Sequence, residues 1–209
     1  MDLVEAMTTQ RAIRRLKTDP VDDEVLLKIL ELAIKAPTGS NKQGWEWIVV
    51  RDPKVKRELA RKYRAAYRLY GRAGRWVKRK EPKTLRILEA VDWQVKHFEE
   101  IPVFVIPCLH GSSFPYPWIY RSSRYGSIYP AIQNLLLAAR AEGLGAALTT
   151  LPLWNQIGAR RLLKLPRGVE PIAIIPLGWP IGKYGPTTRR PIREIAHLDR
   201  YGNRAFAKD

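Results

Sequence analysis

One cysteine, Cys108, among 209 residues excludes an intramolecular disulfide and any Cys-rich metal cluster, and fits a reducing compartment. Histidine is nearly as scarce. His97, His110 and His197 are scattered and share no ligand spacing, so each reads as a surface or packing residue and no metal site is expected. No pair of carboxylates stands out for acid and base work, and no catalytic side chain is assigned. Long apolar runs are missing too: the longest, Ile101 to Leu109, is nine residues with two prolines, far short of the ~20 that span a bilayer. The start, Met1 to Gln10, carries Asp2 and Glu5 and lacks the cationic and apolar stretches of a secretion signal, so a cytoplasmic protein is expected. No Gly-x-Ser-x-Gly elbow announces a hydrolytic triad. The glycines near Arg72 and Arg75 lack the Gly-Lys-Ser/Thr ending of a phosphate loop. Gly143-Leu144-Gly145-Ala146-Ala147-Leu148 imitates a dinucleotide fingerprint but follows a helix and precedes a strand, the reverse of a Rossmann turn. These absences leave the chemistry to a bound cofactor.

What is present is a globular composition, 45% hydrophobic, with no repeat and no composition break, so a single domain over 1–209 is expected. Lys and Arg exceed Asp and Glu by 37 to 20, giving +17, which points to an anionic partner without choosing among nucleic acid, a phosphorylated cofactor and a membrane surface. Asp22 and Asp23 precede Leu26, Ile29, Leu30, Ala33 and Ile34, the spacing of a one-faced helix ended by Pro37. A polar loop, Pro37 to Gly44, leads into a strand at Trp45 to Val50. Asp52 and Pro53 open a second helix whose outer side is cationic: thirteen Lys or Arg against two acids lie between Arg51 and Lys80, with Gly71 and Gly74 breaking the pattern near its end. A further helix is expected from Thr84 to Glu100 and a doubly covered strand from Val103 to Leu109. An aromatic loop with Phe114, Tyr116, Trp118 and Tyr120 follows, then a very apolar helix from Pro130 to Glu142 capped by Gly143. Strands at Ala146 to Thr150 and Ile172 to Pro176 flank a short helix near Asn155 to Leu163, and the tail from Gly178 is basic and irregular. Irregular alternation of helices and strands predicts a mixed sheet covered by helices rather than a regular parallel βαβ series.

Two segments have the chemistry of a ligand site. Arg11-Ala12-Ile13-Arg14-Arg15 offers two guanidinium forks around an apolar residue, suited to phosphate, though a solvated cationic edge has the same composition. Ala36-Pro37-Thr38-Gly39-Ser40-Asn41-Lys42-Gln43-Gly44 offers hydroxyl, amide and backbone donors just before a buried strand. It reads either as a cradle for a polar heterocycle or as an ordinary connection.

In order and spacing, four blocks resemble the nitroreductase family of FMN-dependent oxidoreductases: Arg11 to Leu16, Ala36 to Gln43, Ala131 through Gly145, and Pro176-Leu177-Gly178-Trp179-Pro180 followed by Arg189-Arg190-Pro191-Ile192. The resemblance implies an α+β fold, a mixed, mostly antiparallel central sheet sandwiched by helices in three α/β/α layers, and that Arg11 and Arg189 meet the FMN phosphate, with Arg190 beside them. It places Arg14 toward the ribityl chain and the flavin N1/O2 edge, where a fixed cation stabilises negative charge. It implies a homodimer with FMN at the interface, so that Pro37, Thr38, Gly39, Asn41 and Gln43 reach the flavin of the other subunit. Leu148, Thr149 and Thr150 would run beside the ring. Ala12 stands where serine is usual, and Thr187 where some members place a phosphate-binding lysine; both weaken the phosphate site. Trp47 replaces a common phenylalanine, and the basic 51–80 segment lies where the family varies.

The activity implied is a ping-pong reaction carrying electrons from NADPH or NADH to an electron-poor acceptor, a nitroaromatic or a quinone, with the cationic surface favouring NADPH. The aromatic loop and the helix from Tyr63 to Tyr70 are expected to wall the flavin. Within the same fold, dehalogenation, azoline oxidation or flavin cleavage are alternatives. From another class, nucleic-acid binding is suggested by the basic segment with its Tyr63, Tyr67, Tyr70 and Trp76.

Overall fold

The computed structural model describes residues 1–77, 82–111 and 117–207. Its described elements are α1 (Leu3–Thr9), α2 (Asp23–Ala33), β1 (Trp45–Val50), α3 (Pro53–Val77), α4 (Pro82–Lys96), β2 (Val103–His110), α5 (Pro117–Ala141), β3 (Gly145–Ala146), α6 (Gln156–Leu162), β4 (Val169–Pro171) and β5 (Ile175–Gly178). The sheet runs β1-β2-β5-β3, with β4 also on β2, and every pairing between these strands is antiparallel. This is the α+β, three-layer arrangement expected.

Strand β2 is the axis. Seven of its eight residues are buried, and the period-two alternation sends them to two cores. Val103, Val105 and Leu109 join α2 and α5, with Ile29, Ile132 and Leu135 among their neighbours. Phe104, Ile106 and Cys108 face the opposite layer, where Leu59, Tyr63, Phe98 and Ala159 close the core. A strand covered on both faces needs no polar alternation, which is why its sequence reads as one apolar run.

Several boundaries differ from those expected. Helix α3 continues to Val77, through Gly71 and Gly74, because a strongly amphipathic pattern with buried Leu59, Ala60, Tyr63, Ala66 and Tyr67 outweighs roughly 1 kcal/mol of glycine cost at each position. Helix α5 begins at Pro117, thirteen residues before the expected Pro130, which lies inside it. Proline removes one helical hydrogen bond, and the residue four positions earlier is Gly126, where no side chain crowds the turn. The expected aromatic loop is therefore partly helix; 112–116, with Phe114 and Tyr116, lie outside the described residues, as do 78–80 of the basic segment. The strand expected at Ala146 to Thr150 shrinks to β3 plus a bridge between Thr149 and Ile174. The strand expected at Ile172 to Pro176 is displaced to Ile175–Gly178.

The chain before α2 and the C-terminal tail are stitched to this frame. Ile13 N–H donates to Ala146 O (2.9 Å), Lys17 N–H to Trp179 O (2.8 Å), and Ile181 N–H to Arg15 O (3.0 Å). Gly145 leaves room for this segment, since a Cβ there would lie 2.6 Å from Leu16 Cδ2 and 2.8 Å from Ile13 Cγ2.

Candidate functional site

The stitching fixes Arg14. Between Ile13, bonded to β3, and buried Leu16, bridged to Pro180, Arg14 is half-buried beside the Tyr63 ring system of α3. Burial holds its guanidinium below its ordinary pKa, partly offset by Tyr63, and no carboxylate pairs with it among the described residues. Tyr63 is buried and its hydroxyl faces Gln94 Oε1 at 3.4 Å. Burial raises the Tyr63 pKa, against a side-chain hydrogen bond from Thr149 and the Arg14 charge. Arg14, Tyr63 and Thr149 thus form one cluster. A desolvated cation without an anion is costly, and a site that holds one is arranged to receive negative charge.

The tail reaches the same end of the molecule. Thr187 donates from N–H (2.9 Å) and Oγ1 (3.1 Å) to Thr8 O, and the Tyr184 hydroxyl donates to Leu144 O. Arg140 lies 4.1 Å over the Tyr184 ring and donates from Nε to Thr9 Oγ1 at 2.9 Å. Burial pushes the Tyr184 hydroxyl up to about 12, although the Arg140 charge opposes the shift. Residues 187–189 are therefore tied next to the segment that carries Arg11; Arg11, Arg189 and Arg190 are all exposed there.

The polar loop lies elsewhere. Gly44 O accepts from His110 N–H at the far end of β2, whereas Ala146, to which Ile13 is bonded, lies opposite Leu177 and, across β5, level with Val103. The seven-residue offset along β2 separates the two places by roughly 23 Å. In the loop, Ser40, Asn41 and Gln43 adopt left-handed φ of 53°, 52° and 46°, a costly conformation for residues with a side chain and typical of ligand loops. It is held by Gln43 N–H to Thr38 Oγ1 (3.2 Å), Gln43 Nε2 to Asn41 Oδ1 (3.1 Å), and Gly39 N–H to Ser127 Oγ (3.2 Å).

The expected residues thus fall into two sets. Arg11, Ala12, Arg14, Thr149, Arg189 and Arg190 gather around the β3 end, with Leu148 and Thr150 flanking the Thr149–Ile174 bridge; Pro37, Thr38, Gly39, Asn41 and Gln43 stand at the His110 end of β2. None of these thirteen is buried. Sequence reasoning missed Gln94, Ser123, Arg124 and Ser127. Ser123 and Ser127 lie on the part of α5 before Pro130, between the expected aromatic loop and the expected helix, and no spacing pattern marked Gln94 or Arg124. The basic segment forms the outer face of α3: Lys54, Arg57, Arg61, Arg64 and Arg68 follow the three-four spacing of one helix side, with Glu58 paired to Arg61 (2.6 Å) and Glu99 to Arg64 (3.1 Å). Cys108 is buried, with its thiol pushed up to about 12 by burial and by the Glu46 charge, which makes it inert. No three His, Cys, Asp or Glu converge as metal ligands among the described residues, and no described helix is long and apolar enough to cross a membrane.

Residues 7–179 match the model of the nitroreductase family. The chain belongs to the nitroreductase family. It is accordingly an oxidoreductase. This nitroreductase-family chain is 33% identical over 184 residues to the "Putative NADH dehydrogenase/NAD(P)H nitroreductase" of Methanothermobacter thermautotrophicus, covering 86% of this chain and 78% of the other. It is 25% identical over 203 residues to the iodotyrosine deiodinase of Nematostella vectensis (94% and 75% covered). A crystal structure of oxidized iodotyrosine deiodinase bound to FMN and 3-iodo-L-tyrosine superposes with a TM-score of 0.70 at 23% identity, covering 97% of this chain and all of that one, which shows the shared fold.

Proposed function

We propose that the protein is an FMN-dependent oxidoreductase that works as a homodimer, taking reducing equivalents from NADPH or NADH and passing them to an electron-poor small molecule such as a nitroaromatic or quinone. The observation that carries this reading is the split of the candidate residues into two exposed sets roughly 23 Å apart on one chain. Separate in one chain, they form a single site when a second copy brings its loop to the Arg14 end. Exposed apolar side chains fit such pairing: Leu3 (66%), Val4 (70%) and Met7 (60%) on α1, and Leu27 (59%) on α2, stand in solvent in the isolated chain.

The residues suit FMN. Arg14 is a half-buried cation with no carboxylate partner among the described residues, the arginines at 11, 189 and 190 add exposed charge for a phosphate, and the 37–43 loop carries donors on a strained backbone. When bound, FMN supplies the two-electron carrier that this protein's side chains lack. Arg14 stabilises negative charge at the polar edge of the ring system, as preorganised electrostatics rather than proton transfer. Tyr63, hydrogen-bonded by Thr149, stands buried beside Arg14. Leu148 and Thr150 give the site an apolar wall and backbone groups, and the second copy's loop closes the opposite side.

Subunit mixing tests this directly. Arg14→Ala and Gly39→Trp disable different sets, so each homodimer loses both sites, whereas a mixed dimer keeps one intact site. Co-expression of the two variants restores turnover with NAD(P)H and a quinone to about a quarter of wild type under random pairing; no restoration would show that the sets do not combine across subunits. The likeness to iodotyrosine deiodinases favours a second reading, reductive dehalogenation on the same scaffold, tested by halide release from a halogenated phenol.

A further inference from the structure

A cavity of about 430 Å³ opens where the 38–44 loop, the ends of β1 and β2, and α5 meet. Its size suits a small organic ligand. Its chemistry is one-sided: Arg124, Lys42 and His110 line it together with the hydroxyls of Thr38, Ser123 and Ser127, and among the described residues no carboxylate does. Trp45 and Leu109 supply apolar wall. The carboxylates nearby act from outside this lining. Glu46 accepts or shares a hydrogen bond with His110 Nε2 at 3.0 Å, and Glu170 Oε1 stands 3.0 Å from Arg124 Nη2.

Arg124 is the unusual member. Its side chain is 16% exposed, and Nε and Nη2 are enclosed without a hydrogen bond, the Glu170 oxygen being close but not aligned. A buried guanidinium with unused donors marks an incomplete network. Glu170 stands against the enclosed Nη2, and the Arg124 side chain also lines the cavity. Gly39 couples the cavity to the loop, since its N–H donates to Ser127 Oγ and a Cβ there would lie 2.8 Å from Ser123 Oγ.

We propose that this cavity is the acceptor pocket of the enzyme, and that it selects acceptors bearing an anionic group, carboxylate or phosphate, with Arg124 as the counter-ion and the Ser123 hydroxyl as hydrogen-bond donor, the Ser127 hydroxyl being committed to Ser123 O at 2.9 Å. This rests on the oxidoreductase reading above, because the cavity is built on the loop that the second copy lends to the flavin. A charged acceptor then gains a charge-assisted contact that a neutral isostere lacks.

The test compares 4-nitrobenzoate and 4-nitrophenyl phosphate with neutral methyl 4-nitrobenzoate as acceptors for the FMN-loaded enzyme, in wild type, Arg124→Gln and Arg124→Lys. Arg124→Gln lowers the anion-to-ester ratio of kcat/KM by about 10- to 100-fold, the worth of one charge-assisted hydrogen bond, and Arg124→Lys keeps part of it. A larger loss for one anion identifies which group the pocket takes. Lys42→Gln, at the exposed rim, lowers the ratio about threefold and decides the matter if the Arg124 variants fail to fold. An unchanged ratio in these variants overturns the proposal. Failure of wild type to bind FMN, or to reduce any of the three acceptors, would instead sink the proposed FMN-dependent reaction. Calorimetric binding of 4-nitrobenzoate to wild type and Arg124→Gln then judges the cavity by itself: weaker binding to the variant supports it, and equal binding or none refutes it.

Discussion

Gly145→Ala is expected to damage the protein twice, once in stability and once in cofactor binding. Its new Cβ would lie 2.6 Å from Leu16 Cδ2 and 2.8 Å and 3.2 Å from Ile13 Cγ2 and Cβ. None of these neighbours can simply swing away, because Leu16 is buried and Ile13 is fixed through its N–H to Ala146 O. Overpacking of this kind costs about 2–3 kcal/mol, which lowers Tm by roughly 4–12 °C for a chain of this size. Relief comes from moving the 13–16 segment off β3, and Arg14 lies inside that segment. Losing its charge-assisted contact costs about 1.5–3 kcal/mol, so FMN affinity falls about 10- to 100-fold. Gly143→Ala is the control. Gly143 has φ of +79°, and the nearest atom to a new Cβ is Trp179 Cζ3 at 3.9 Å, so the penalty there is backbone strain of about 1–2 kcal/mol without displacement of Arg14. Thermal melts and FMN fluorescence titrations of both variants separate the effects. A Gly145→Ala protein that melts and binds FMN like wild type would refute the reasoning; so would one matching Gly143→Ala in both assays.

Three further outcomes are expected. Arg14→Ala weakens FMN about 10- to 100-fold, and Arg14→Lys recovers only part because a point charge replaces a planar fork, as read by fluorescence titration. Cys108 resists Ellman's reagent at pH 8 in the native state and reacts fully in urea. Its raised pKa stabilises the fold below pH 9 and that contribution is lost as pH rises from 9 toward about 12, so the unfolding free-energy advantage of wild type over Cys108→Ala, read from urea melts, shrinks by up to about 1.4 kcal/mol per pH unit. Asp52→Ala removes the acceptor for Lys54 N–H (2.7 Å) at the start of α3 and lowers Tm by roughly 2–4 °C, about 1 kcal/mol.

Much of the frame was legible because local signals and burial agree. The apolar run at Val103 to Leu109 is the central strand, Asp52-Pro53 starts α3, and Gly143 with positive φ ends α5. Where tertiary packing overrides a breaker, the reading failed: Gly71, Gly74 and Pro130 lie inside helices that neighbouring apolar residues hold together. The strand after Gly145 was overextended because buried small residues look alike whether or not they pair. Arg11, Arg14 and the 37–43 loop were legible as compact polar motifs. Arg124 was not, because the features that mark it, an enclosed guanidinium at a cavity wall and a carboxylate 46 positions away, exist only once α5 and β4 meet.

The most direct test of the central claim is the visible absorption spectrum of purified protein loaded with FMN, taken anaerobically before and after NADPH or NADH. The account predicts flavin bound in proportion to chains and bleached by a nicotinamide. A protein that stays colourless and refuses added FMN would contradict it.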